Sequence, residues 1–189
     1  MLKRLSEGRF IAVALGAYAL LAIVGGLLWR LWWTAPNGMV ISQQWIPGAV
    51  QLNGSLYPLA DPPQDIPAAT AHWAILAIAV GLIGGLIVVL GARGREYAAL
   101  AVGLVGSACA GLLMCGVGYL NRGGDPRAVA AILPDGAMLH DRIQLAEPWL
   151  LALPLVASGT VIAIAFLGWA ARPAHHVAQD VTHHIGEPV

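Results

Sequence analysis

Four long apolar stretches, each bounded by polar or basic residues, constrain this chain more than any other feature. The central pair, residues 73–90 and 97–119, contains no charged side chain, and a short basic link with Arg93 and Arg95 joins its two members. A helix needs about 20 apolar residues to cross a hydrocarbon core. Both stretches approach or exceed that length, so we expect a membrane-spanning helical hairpin.

Two further apolar runs complete the predicted set of spans. Residues 10–29 follow a basic head, and this run is longer than the signal-peptide core of about 7–15 residues that is its alternative interpretation. The last run contains Pro154 about two turns in, which predicts a kink. The expected spans are about residues 10–33, 72–91, 97–120 and 148–171, with outer loops at 34–71 and 121–147 and a cytoplasmic tail at 172–189.

Composition agrees with a single four-span membrane domain over residues 1–189. Charged residues make up 11% of the chain, against about 25% in soluble domains. We therefore predict an all-α membrane protein, a bundle of four transmembrane helices. We expect the two outer loops to add a small extracytoplasmic cap of β-hairpins.

Small residues recur at every fourth position in the central hairpin. Residues four apart lie on nearly one helix face, and small faces allow helices in lipid to approach closely. We predict a helix-packing interface, within the bundle or with a partner, that consists of Gly81, Gly85, Ala99, Gly103, Ser107, Gly111 and Cys115.

The cap is predicted from turn signals in the two outer loops. Asn53-Gly54 lies between short apolar stretches and favours a two-residue hairpin, although Asn53-Gly54-Ser55 also matches a glycosylation sequon. Residues 39–45 are expected to form another strand, and Pro134-Asp135-Gly136 predicts a second hairpin. A shared sheet would bury Val50, Leu52, Ile132 and Met138. Two independent flexible loops are the alternative.

Lys and Arg residues set the expected orientation. Lys3, Arg4, Arg9, Arg93, Arg95 and Arg172 lie on one side, while Arg30, Arg122, Arg127 and Arg142 lie on the other. The first outer loop has no cation at all, so we expect both termini to be cytoplasmic in a multi-pass protein of the plasma (inner) membrane. Trp29, Trp32 and Trp33 with Arg30 are interpreted as an interfacial anchor, and His72 as an interfacial polar cap.

Little in the sequence indicates chemistry, and we predict no catalytic, cofactor-binding or metal-binding residue. The apolar runs at residues 10–29, 73–90, 97–119 and 148–171 contain no charged residue, which argues against a proton-coupled transporter acting alone. Cys109 and Cys115 are too far apart along one helix for a disulfide. The tail histidines His175, His176, His183 and His184 are interpreted as polar residues of a disordered tail, with metal binding as the alternative.

The layout resembles a family of actinobacterial four-span integral membrane proteins of uncharacterised function. The similar segments are Leu28-Trp29-Arg30-Leu31-Trp32 leading to Ala35-Pro36, then Ala60-Asp61, the Gly/Ala-rich central spans, and Gly118-Tyr119-Leu120 before a Gly-Asp-Pro loop. The sequence departs from the family pattern in two places. The aromatic residue that follows the acidic site, here Ala60-Asp61, is displaced to Trp73, and the double-His tail has no counterpart in the family. The resemblance implies the fold and assigns no activity.

We therefore expect an accessory or interaction subunit that docks onto a larger membrane complex through its small-residue helix faces. Its partners would be the lipid bilayer and other membrane subunits or a second copy of itself. The zero net charge gives no indication of nucleic acid. A small channel- or transporter-like component is the alternative. A membrane enzyme is the third, since Asp125, Arg127, His140 and Asp141 are all in the second outer loop.

Overall fold

The computed structural model describes residues 6–33, 37–52, 55–57, 65–92, 94–120, 124–143, 145 and 147–170. Its helices are α1 (Glu7–Trp32), α2 (Asp65–Ala92), α3 (Glu96–Tyr119), a short α4 (Pro126–Ala130), and α5 (Leu153–Ala170), which follows a 3-10 helix at Pro148–Ala152. Within these described residues, four helical segments are long and apolar enough to cross a membrane. The predicted set of four long apolar helices is confirmed, and it fits a multi-pass membrane protein.

Two helix starts differ from the sequence prediction, and both involve proline. α2 begins at Asp65, before the predicted start at residue 72. Pro67 permits this earlier start because it falls in the first turn of the helix, where a missing backbone N–H breaks no helical hydrogen bond. Pro154 was expected to kink a helix two turns in. Instead, the segment winds as a 3-10 helix up to Ala152, so Pro154 lies in the first turn of α5.

The long helices form one bundle with a continuous core. α1 and α5 each pack against both α2 and α3, and α2 also contacts α3. The loop end of the bundle is the end where α1 finishes and α2 begins; the link end is where α2 turns back into α3. The core includes small residues such as Ala77 and Ala99 together with large buried rings such as Trp29 and Trp73.

A small cap stands at the loop end. Its three-stranded antiparallel sheet has the order β2 (Gln44–Pro47), β1 (Asn37–Ile41), β5 (Met138–His140). Because β1 belongs to the first loop and β5 to the second, the expected sheet shared by the two loops is confirmed. A separate hairpin pairs β3 (Val50–Leu52) with β4 (Ser55–Tyr57), as predicted from Asn53-Gly54, whose own turn lies outside the described residues.

The details of the cap overturn three expectations. Residues 39–45 are not one strand, because a turn at Ser42 and Gln43 divides them into β1 and β2. The described residues of the second loop, 124–143, 145 and 147, form no hairpin and instead supply α4 and the strand β5. Ile132 and Met138, expected to be buried in the shared sheet, are 83% and 64% exposed. Val50 and Leu52 are in β3, outside the three-stranded sheet, and their side chains are not among those described.

Candidate functional site

The small residues of α2 lie against α5. A Cβ atom added at Gly81 would overlap the backbone carbonyl of Pro154 and lie 2.7 Å from Cβ of Ala157. At Gly85 it would lie 3.1 Å from the Cα and the carbonyl oxygen of Ser158. Close backbone approach of this kind is what small residues permit in packed helices.

The small residues of α3 face the same neighbour. A Cβ at Gly103 would overlap the side chain of Ile162, and a Cβ at Gly111 would lie 2.5 Å from the carbonyl oxygen of Leu151. Ala99 and Ser107 are fully buried; the Ser107 hydroxyl donates back to the Gly103 carbonyl. Cys115 is half-buried. α5 and its 3-10 helix therefore occupy the predicted packing face within the chain itself.

Two glycines outside the predicted set form a slot for Tyr18 of α1. A Cβ at either Gly84 of α2 or Gly106 of α3 would overlap the Tyr18 ring. The phenol reaches across the bundle and makes a 2.6 Å hydrogen bond with the hydroxyl of Ser158 in α5. A lone tyrosine in the apolar first span was the available signal, because a buried phenol needs both space and a hydrogen-bond partner.

The bundle interior offers no polar path within one copy of the described chain. Its buried polar side chains, apart from the Tyr18 phenol, are Ser107 and Ser158, and both hydroxyls make hydrogen bonds to protein atoms. Large side chains such as Met114 and Ile162 fill the space between the helices. The geometry therefore disfavours a pore through a single copy.

The loop end of the bundle contains an aromatic cluster of six rings: Trp29, Trp32, Trp33, His72, Trp73 and Tyr119. Trp29 was expected at headgroup level but is fully buried. Its indole N–H donates to the Ala69 carbonyl at 2.8 Å, and its ring centroid lies 6.3 Å from that of Trp73 and 5.7 Å from that of Tyr119. Trp29 is therefore a core residue that joins α1, α2 and α3.

Trp32 and His72 form the exposed side of the aromatic cluster. Their rings stack with centroids 4.4 Å apart and an angle of 10° between planes. Trp32 remains 52% exposed, which suits the interfacial position expected for it. The Trp32 indole partly covers His72, whose interpretation as an interfacial polar cap stays a prediction.

Several buried nitrogens at this end have no hydrogen-bond partner among the described residues. They belong to three members of the aromatic cluster and to one loop residue: Trp33 Nε1, His72 Nδ1, Trp73 Nε1 and Arg142 Nε. Buried donors are nearly always paired in proteins, and an unpaired one costs about 1–3 kcal/mol. They are the only buried side-chain nitrogens or oxygens in that condition within the described part of the chain.

The cap has its own small core. Val40, Trp45 and Ala130 are buried together. The Trp45 indole donates to the Leu139 carbonyl at 3.3 Å, and the Arg127 guanidinium lies 5.2 Å from the Trp45 ring centroid, a cation–π distance. The second loop is also tied to the bundle, because the Leu145 N–H donates to the Tyr119 hydroxyl at 3.0 Å.

The four residues of the enzyme alternative have separate roles in the cap. Asp125 accepts from the Arg127 backbone N–H at the start of α4 and pairs with the Arg142 guanidinium at 3.1 Å. Asp141 accepts from the Arg142 backbone N–H. His140 is exposed on β5. Among these described residues His140 makes no hydrogen bond or ion pair with a carboxylate, and the contacts of Asp125 and Asp141 anchor the loop.

The structure describes no metal centre. Within the ranges that it covers, no group of three His, Cys, Asp or Glu side chains is placed to hold a metal ion. On α3, Cys109 is exposed and Cys115 is half-buried. The tail histidines His175, His176, His183 and His184 lie outside the described residues.

Comparison of the chain with protein-family models, with curated proteins and with solved structures finds no match.

Proposed function

We propose that this protein is an accessory subunit that binds another membrane protein through its cap, as a member of the actinobacterial four-span family that it resembles. The observation that carries the proposal is the cap itself, a sheet built from strands of both loops and tied to the bundle by the hydrogen bond from the Leu145 N–H to the Tyr119 hydroxyl. The second loop exposes two large apolar side chains of this cap, Ile132 and Met138. Contiguous exposed apolar patches mark protein contacts, and we assign Ile132 and Met138 to one such patch.

The small-residue helix faces support the bundle in this proposal. α5 already covers Gly81, Gly85, Gly103 and Gly111, so a partner helix would have to displace part of the same chain to reach them. We therefore place the docking surface on the second loop, around Ile132 and Met138. The outer faces of the four helices remain in contact with lipid.

We also propose that both termini are cytoplasmic and that the cap is outside the inner membrane. The unequal distribution of Lys and Arg supports this orientation. The test is cysteine labelling of intact cells in a Cys109→Ser, Cys115→Ser background. Ser55→Cys should react with a membrane-impermeant maleimide and Ser6→Cys should not; the reverse pattern would invert the topology.

Purification from native membranes in mild detergent tests the function. A stoichiometric partner is expected with the wild-type chain, and Ile132→Asp or Met138→Asp should release it. Gln44→Asp is the matched control, because Gln44 is exposed on the far strand of the same sheet. Recovery of a monomer alone would contradict the proposal. A homo-oligomer with a polar axial path would favour the channel-like alternative.

A further inference from the structure

The three-stranded sheet of the cap has two edges that differ in how they are protected. β2 forms one edge, where α4 packs against it and where Pro47 has no backbone N–H to offer. β5 forms the other edge and contains neither a proline nor a lysine. Proteins commonly block a sheet edge with proline, with charged side chains or with a covering element. Of these two edges, β5 is therefore the open one.

The hydrogen bonds of β1 show which of its backbone groups point towards β5. The Val40 N–H donates to the Ala137 carbonyl of the second loop at 2.9 Å. The Asn37 carbonyl, in contrast, accepts from the Gly48 N–H, which follows β2, also at 2.9 Å. Backbone groups alternate in direction along a strand, so those of Gly38 point towards β5, like those of Val40.

The same alternation leaves two residues of β5 with outward backbone groups. Gly38 pairs with Leu139, so the backbone groups of Leu139 point towards β1 and those of Met138 and His140 point away from it. Neither outward residue makes a backbone hydrogen bond outside the sheet among the described residues. Met138 is 64% exposed and His140 is exposed as well. The open edge thus presents donors and acceptors that alternate as in any unpaired strand.

The charges beside the open edge are acidic. Asp135 lies three residues before β5 and is exposed, and Asp141 follows β5 directly. Within the described residues neither carboxylate forms an ion pair, because the Arg142 guanidinium pairs with Asp125 and the Arg127 guanidinium lies against a tryptophan ring. The two ends of the open edge therefore carry negative charge that a basic partner would complement.

We infer, on the basis of the proposed function, that the partner protein adds an extended segment to the free edge of β5, with lysine or arginine at the ends of that segment. An added strand satisfies outward N–H and C=O groups together and takes its register from them. A helix cannot do so, because its own backbone groups are already paired. The basic ends would lie near Asp135 and Asp141, and an apolar side chain of the segment would contact Met138.

Hydrogen exchange resolved to single amides tests this pairing. The samples are the wild-type chain purified alone and its complex with the partner, purified from native membranes in mild detergent. In the chain alone, the Leu139 amide should be protected while the Met138 and His140 amides exchange quickly. In the complex, the two outward amides should slow by about tenfold or more, and Leu139 should change little. Outward amides that exchange equally fast in both samples would overturn the inference.

A proline substitution tests the same edge in the co-purification experiment. His140→Pro removes one outward N–H and leaves the pairing with β1 intact, since proline is tolerated on the free side of an edge strand. We expect about tenfold less partner in the purified complex. His140→Ala is the matched control: it keeps the N–H and should recover the partner like the wild type.

The proline variant can also contradict the pairing. Equal recovery of the partner with His140→Pro and with the wild type, or its loss with both His140 variants, would show that the backbone of this edge is not what the partner binds. Unchanged exchange of the Val40 amide checks that the cap remains folded. If His140→Pro opens the cap, the exchange of the wild-type complex decides the question.

The acidic ends are tested by Asp135→Asn combined with Asp141→Asn. Asparagine keeps an oxygen that can accept the loop hydrogen bonds but removes the charge, so we expect about threefold less partner, as for exposed ion pairs. Unchanged recovery would rule out a segment with basic ends.

Failure of the strand pairing is distinguishable from failure of the proposed function. A wild-type chain that recovers no partner would overturn both. A partner that is released by Met138→Asp but retained by His140→Pro would leave the docking surface in place and overturn the added strand. If the species bound at β5 is a second copy of this chain, the assignment to a different protein is wrong.

Discussion

The four-helix bundle and the cap are held together by different kinds of contact. In the bundle, small residues at regular spacing let one helix backbone approach another, and the pattern is visible within each helix. In the cap, β1 pairs with β5 across an interval that contains α2 and α3. The bundle therefore follows from periodicity, while the cap depends on how the bundle brings two distant loops together. Single substitutions should therefore destabilise the bundle or the cap individually.

The largest effect is expected at Gly111 in the bundle. Gly111→Leu places side-chain atoms against the backbone carbonyl of Leu151, which cannot move without shifting α5 and its 3-10 helix. We expect a loss of stability of about 3 kcal/mol, measured as a lower melting temperature in detergent. Gly116→Leu is the control on the same helix, because a Cβ at Gly116 has no atom within 4 Å. Equal melting of the two variants would mean that this face of α3 is not packed.

A second substitution should open the cap and leave the bundle intact. In Gly38→Val the added side chain overlaps the Trp45 indole, so the small core of the cap must open at a local cost of about 2 kcal/mol. Hydrogen exchange should accelerate in residues 37–47 and 138–140, with α2 and α3 still protected. Gln44→Val, at an exposed position of the same sheet, should change neither region. Accelerated exchange in the long helices would show that the cap and the bundle unfold as one unit.

The two regions also differ in how far the sequence predicted them. The presence of four helices followed from local composition, and the packing glycines from their spacing. Trp29 was placed at the interface because Trp near a span end is usually interfacial; its burial depends on the Ala69 carbonyl, which comes from another helix. The pairing of β1 with β5 was equally non-local, so the register and the strand supplied by the second loop could not be derived.

The buried hydrogen bond between Tyr18 and Ser158 should make a smaller contribution within the bundle. Tyr18→Phe removes one hydroxyl and leaves the other unpaired between the helices, which costs about 1–2 kcal/mol. Ser158→Ala should have a similar effect. The double variant should melt close to either single variant, because with both hydroxyls removed no buried hydroxyl is left unpaired. Fully additive losses would show that the two hydroxyls do not interact.

The smallest effect is expected at the turn that the sequence did not reveal. Ser42 and Gln43 have φ angles of 51° and 63°, as in the type I′ hairpin turn that usually contains Asn-Gly. Neither residue favours this left-handed region, so Ser42→Asn with Gln43→Gly should relieve about 1 kcal/mol of backbone strain. The Val40 N–H, which donates to the Ala137 carbonyl at 2.9 Å, should then exchange more slowly while α2 and α3 are unchanged. Moving the glycine one residue, in Gln44→Gly, should instead speed exchange, because Gln44 belongs to the extended strand β2 and glycine weakens strands. If both variants accelerate exchange at Val40, the turn does not hold these φ angles and the cap is organised around a different hairpin.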